Sequence, residues 1–150
     1  MLFLIAFALT AVNAHAWDSH DNSKNGKDTD NGCSNQTLNG DYGLTIEGLL
    51  DIPGNGIPVR GVVHQHYDGN GHLTQVDHVV VGGTAPSEAW RPGSGTYDVN
   101  SDCTGKATIN IPSSQGQPPL VLYFVIVKNG KEIRQVVDGN AIVATGSKVE

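Results

Sequence analysis

The chain has 150 residues, 38% of them hydrophobic, with nine Lys and Arg against fifteen Asp and Glu and a formal net charge of -6. That length supports one domain able to bury about two thirds of its unfolded surface, so it can hold a core without a metal or disulfide staple. The acidic balance argues against the basic patch that nucleic acid or an anionic membrane surface requires, and neither is expected as a partner.

Residues 1–16, MLFLIAFALTAVNAHA, are an apolar run ending in small residues, and Ala14-His15-Ala16 fits the A-x-A pattern of signal-peptide cleavage. A membrane span takes roughly 20 apolar residues, more than this run offers. Cleavage would remove 16 of 150 residues, leaving 134, with no charged side chain lost. The expectation is a secreted or periplasmic protein with no membrane segment after processing. Residues 17–32, WDSHDNSKNGKDTDNG, have almost no apolar side chain and read as a disordered polar leader. Cys33 and Cys103 are the only cysteines, and an even count in an exported chain predicts one disulfide between positions 70 apart.

Residues 33–150 read as one all-β domain. Strands are expected at 42–50, 59–67, 72–81, 95–99, 106–111, 120–127, 132–137 and 141–145, with no amphipathic helical stretch of ten residues between them. Several links are hairpin turns: Asp68-Gly69-Asn70-Gly71, Asp102-Cys103-Thr104-Gly105, Lys128-Asn129-Gly130-Lys131 and Asp138-Gly139-Asn140. Eight strands joined this way predict an antiparallel up-and-down barrel, because closure removes the exposed edges of an open sheet.

The hairpin at 59–81 carries four of the six histidines. A type I turn followed by a left-handed Gly71 sets its register: Tyr67 opposite Leu73, His66 opposite Thr74, His64 opposite Val76 and Val62 opposite His78. Alternation then places Arg60, Val62, His64, His66, Val76, His78 and Val80 on one face and Val63, Tyr67, Leu73, Val79 and Val81 on the other, with Asp77 also pointing away from the histidines. Alternation alone does not say which face looks into the barrel. If the histidine face does, His64, His66 and Arg60 contact a ligand, joined by Tyr123 from the strand at 120–127 and by Trp90 from the loop at 85–93, with Glu47 and Arg134 as further inward candidates. If it looks outward, the histidines are solvated. The run LVLYFVIV at 120–127 is apolar on both faces, which predicts one face in the lumen and the other under loop 86–93 or a second copy of the chain, as in a homo-oligomer.

Three segments, Cys33-Ser34-Asn35-Gln36-Thr37-Leu38-Asn39-Gly40-Asp41-Tyr42-Gly43, Asp68-Gly69-Asn70-Gly71-His72-Leu73 and the run 95–105, GTYDVNSDCTG, resemble a group of small exported bacterial proteins of unassigned function. Gly40-Asp41-Tyr42 is similar to the G-x-W motif of lipocalins, with Tyr in place of Trp, and the eight-strand outline is similar to that of allene oxide cyclases. Those calycin-like resemblances imply a lumen that takes a small apolar molecule. His64-x-His66 with His78 on the next strand is similar to the zinc arrangement of α-type carbonic anhydrases, and the H-x-H alone to cupins. That resemblance implies a divalent metal as cofactor, held by His64, His66 and His78.

The leading expectation is a secreted barrel that binds a small apolar ligand in its lumen. The alternative is an enzyme on the same barrel: either a cyclase or isomerase using His64, Tyr123 and Arg60 for acid–base work, or a metal-dependent lyase or hydrolase centred on His64, His66 and His78.

Overall fold

The computed structural model describes residues 32–52, 55–112 and 116–150. The signal peptide expected at 1–16, and all of the leader expected at 17–32 except Gly32, lie outside these residues. Eight strands, β1 (Asn39–Ile52), β2 (Asn55–Asp68), β3 (His72–Val81), β4 (Arg91–Val99), β5 (Thr104–Asn110), β6 (Leu120–Val127), β7 (Glu132–Val137) and β8 (Ala141–Lys148), pair antiparallel with their neighbours in the chain. β8 returns to β1, giving the closed up-and-down barrel that the turn spacing predicts.

The β2–β3 register is the expected one, with Tyr67 opposite Leu73, His64 opposite Val76 and Val62 opposite His78. Its turn differs from the type I form, because Gly69 as well as Gly71 has positive φ, +77° and +100°. The Asp68 carboxylate holds the turn by accepting the amides of Asn70 (2.7 Å) and His72 (3.0 Å), and these bonds lower its pKa. β4 begins at Arg91, four residues before the expected 95, since Arg91 to Gly93 pair with Asp77 to Gln75 although Arg-Pro-Gly reads as loop sequence.

One end of the barrel is packed shut. A 3-10 turn, Asn35–Thr37, crosses it and drives the fully buried Leu38 into the lumen beneath Tyr42, Tyr67 and Tyr97. The three rings meet edge to face, with centroids 5.4 Å apart for Tyr42 and Tyr67 and 5.0 Å for Tyr67 and Tyr97. Each phenol has a hydrogen-bond acceptor: Tyr42 donates to the Gly130 carbonyl, Tyr97 to those of Leu38 (2.9 Å) and Asn35 (3.0 Å), and Tyr67 to Gln65 Oε1 (2.8 Å). Gly105 makes the filling possible, since a Cβ there would sit 2.2 Å from the Phe124 ring. Cys33 and Cys103 form the expected disulfide, Cα atoms 4.9 Å apart, and bind the 3-10 turn to the β4–β5 loop at this same end.

Burial raises the pKa of all three tyrosines, most of all that of Tyr67. The folded chain therefore holds phenolic protons more tightly than the unfolded chain, whose tyrosines titrate near pH ~10. This stabilisation is complete below that pH and is lost as pH rises beyond it. The urea midpoint should fall steeply above pH ~10, and Tyr67→Phe should flatten the fall while costing about 1–3 kcal/mol at neutral pH through the two side-chain hydrogen bonds it removes. A Tyr67→Phe protein with an unchanged alkaline slope would contradict this account.

The outer face of β6 is not covered by loop 86–93. Leu122, Phe124 and Ile126 point inward, but Tyr123 is 48% exposed and, with Val125, Val136 and Val143, forms an apolar strip outside β6 to β8. That loop, one of the two expected covers, lies against β3, where the His78 imidazole donates from Nδ1 to the Ala89 carbonyl (2.7 Å).

Candidate functional site

The other half of the lumen is hollow. A cavity of about 230 Å³ opens between the β3–β4, β5–β6 and β7–β8 loops. Its walls are apolar, with Leu44, Val63, Val79, Ile109, Leu122 and Ile142 among the side chains that face it. These are the inward positions of strands that alternate apolar and polar residues, so the pattern that forms each strand also lines the cup.

The floor is polar. Gln65 and Gln75 sit opposite each other on β2 and β3, and Gln65 Nε2 donates to Gln75 Oε1 (2.9 Å). Gln75 Nε2 in turn donates to Asp77 Oδ2 (3.2 Å), and Arg91 Nε donates to Asp77 Oδ1 (2.7 Å). From β7, Gln135 reaches across the lumen and donates to Gln65 Oε1 (3.2 Å) and the Tyr67 hydroxyl (3.0 Å). This chain of bonds separates the packed tyrosine end from the open cup. Among the described residues no buried side-chain nitrogen or oxygen lacks a partner, so the layer carries little desolvation penalty.

The residues that sequence reasoning singled out lie elsewhere. Arg60, His64 and His66 are on the outer face of β2, Tyr123 is on the outer face of β6, and Trp90, 53% exposed, stands in the β3–β4 loop against the His78 ring. None of the five lines the cavity, so their assignment as lumenal ligand contacts is corrected: alternation turns the histidine face of the hairpin to solvent. Glu47 and Arg134 are exposed as well. The acid–base set His64, Arg60 and Tyr123 is not assembled, because β2 and β6 are on opposite sides of an eight-stranded ring.

His64 and His66 do come together, but around Asp41 of β1: His66 Nδ1 lies 2.9 Å and His64 Nε2 3.6 Å from the same carboxylate oxygen. His78 is engaged with the Ala89 carbonyl instead of with them. Among the described residues no group of three or more histidine, cysteine or acidic side chains is arranged to hold a metal ion.

Gln65, Gln75 and Gln135 were missed, and Asp77 was placed on the face away from the histidines without a role, yet a signal for each of them was present. Gln65, Gln75 and Asp77 occupy the same alternating positions as Val63, Tyr67, Leu73 and Val79, whose aliphatic and aromatic side chains drew attention away from the polar ones. Gln135 likewise alternates with Ile133 and Val137 along β7, although its partners come from across the barrel. No protein-family model, curated protein or solved structure matches the chain. The functional reading therefore rests on the geometry of the cup.

Proposed function

We propose that this protein binds a small, mostly apolar molecule in the open half of its barrel and does not transform it. The observation that carries this reading is the cavity itself: apolar walls, an open end and a hydrogen-bonded floor. Its volume of about 230 Å³ is modest. Pockets for drug-sized ligands commonly span ~300–1,000 Å³, so a compact occupant fits better than a long chain. The calycin-like outline, with its resemblance to lipocalins and allene oxide cyclases, agrees with a lumenal ligand. An export signal at 1–16 and the disulfide at the closed end support a secreted or periplasmic location.

Binding is tested with compact hydrocarbons followed by calorimetry and thermal unfolding. Saturable binding is expected, with a stabilisation of about 2.7 kcal/mol at a ligand concentration one hundred times Kd. Ala144, on the cavity wall, is the place to fill the cup. Ala144→Leu should weaken binding at least about tenfold, since a side chain would occupy the ligand's volume. Equal binding by the filled variant would place the ligand outside the lumen.

A further inference from the structure

The floor offers N–H donors to the cup, beside the Gln135 side-chain carbonyl, which accepts no hydrogen bond among the described residues. A guanidinium carries five N–H donors. Among the described residues Arg91 engages a side-chain acceptor only through Nε, on Asp77, and its Nη groups have no partner there. Arg91 also lines the cavity, and no buried side-chain nitrogen is left unpartnered among the described residues, so these Nη groups open to the cup or its mouth. Gln65 and Gln75 each use one amide hydrogen within the layer and keep a second. A bound molecule therefore meets several N–H donors, most of them on Arg91, against one open carbonyl, that of Gln135.

The charge balance restricts which acceptor fits. The positive charge of Arg91 is already paired with Asp77, whose side chain is only 3% exposed. A carboxylate brought to Arg91 would place a second negative charge beside that pair in a poorly hydrated lumen, where like charges are weakly screened. The surroundings do not compensate. Lys106, Lys128, Lys131 and Lys148 are at or next to the closed end, Arg60 and Arg134 are on the outer face of the barrel, and Glu88 and Asp138 are exposed in loops at the mouth.

Building on the lumen reading, we infer that the ligand is an uncharged molecule with a carbonyl oxygen, such as a ketone, ester or amide. Its oxygen sits down on Arg91 and the glutamine amides, and its apolar body faces the walls. The ligand enters head first through the open end. Anionic molecules of the same shape are selected against by Asp77.

Three probes of matched shape test this: methyl cyclohexyl ketone, cyclohexanecarboxylate at pH 7 and ethylcyclohexane, each titrated into the oxidised protein by calorimetry. The ketone should bind about tenfold tighter than the hydrocarbon, the gain expected of one well-made buried hydrogen bond, and the carboxylate should bind more weakly than the ketone. In Asp77→Asn the carboxylate should gain relative to the ketone while the hydrocarbon stays unchanged. Should that variant fail to fold, the wild-type ranking alone decides. A carboxylate that binds the wild type as tightly as the ketone, or a ketone no better than the hydrocarbon, overturns the head-group inference and leaves the lumen as a site. Absence of binding by all three overturns the lumen reading together with it.

Discussion

Replacing Arg91 with methionine is expected to destabilise the barrel by about 3 kcal/mol, toward the lower end of the range for breaking a buried ion pair. Asp77 is almost fully enclosed, and without the guanidinium its carboxylate keeps a single side-chain donor, Gln75 Nε2 at 3.2 Å. Arg91 itself retains 22% exposure, which places the loss at that lower end. The pair also sets where β4 starts, since Arg91 and Asp77 face each other at the first rung of the β3–β4 ladder. Adding Asp77→Asn to Arg91→Met should restore much of the loss, because a neutral amide replaces the orphaned charge. Urea unfolding of the two single variants and the double variant measures the coupling. An Arg91→Met protein within about 0.5 kcal/mol of wild type, the usual range for surface substitutions, would show that water at the mouth screens the pair.

Removing the disulfide as Cys33→Ser/Cys103→Ser should cost about 4 kcal/mol, the chain-entropy value for a loop of this length. Domains of this kind are stable by only about 5–15 kcal/mol, so the loss is a large share of the total. The native contacts beside the bridge do not replace it. They are the Cys33 amide on the Ser101 carbonyl, the Val99 amide on Asn35 Oδ1 and the Tyr97 hydroxyl on Leu38. All three need the 3-10 turn to be in place, and only the covalent link keeps that turn near the β4–β5 loop in the unfolded chain. Thermal unfolding of oxidised and reduced wild type gives the same comparison without a substitution. A loss below about 1 kcal/mol would mean that the hydrogen bonds alone hold the plug.

Much of the barrel was legible because its information is local. Turn residues such as Asp68 to Gly71 fix a hairpin register on their own, and the bounds of β3, β6 and β7 follow from runs closed off by Gly, Asn or Asp. The start of β4 was less legible, since Arg91-Pro92-Gly93 has loop composition and is held in the sheet by β3. The candidate site was mostly hidden. Four histidines on one hairpin drew attention to a face that the fold turns outward, whereas the two glutamines and the aspartate of the inner face make sense only beside Arg91 and Gln135. Local alternation separates two faces without ranking them; the ring of eight strands decides which one is inside.

Seven of the eight strand pairings join segments adjacent in the chain, and one does not: β1 meets β8, with Thr45 opposite Thr145. Hairpins form in roughly 1–10 μs, but a pairing between the two ends of a domain waits on a slow search. Folding speed should therefore be set at this seam. Gly48 lies in it, opposite Ile142, where a Cβ would stand 2.0 Å from the Ala141 carbonyl. The bare backbone at that residue lets the first and last strands slide together, and the cup exists only once they have.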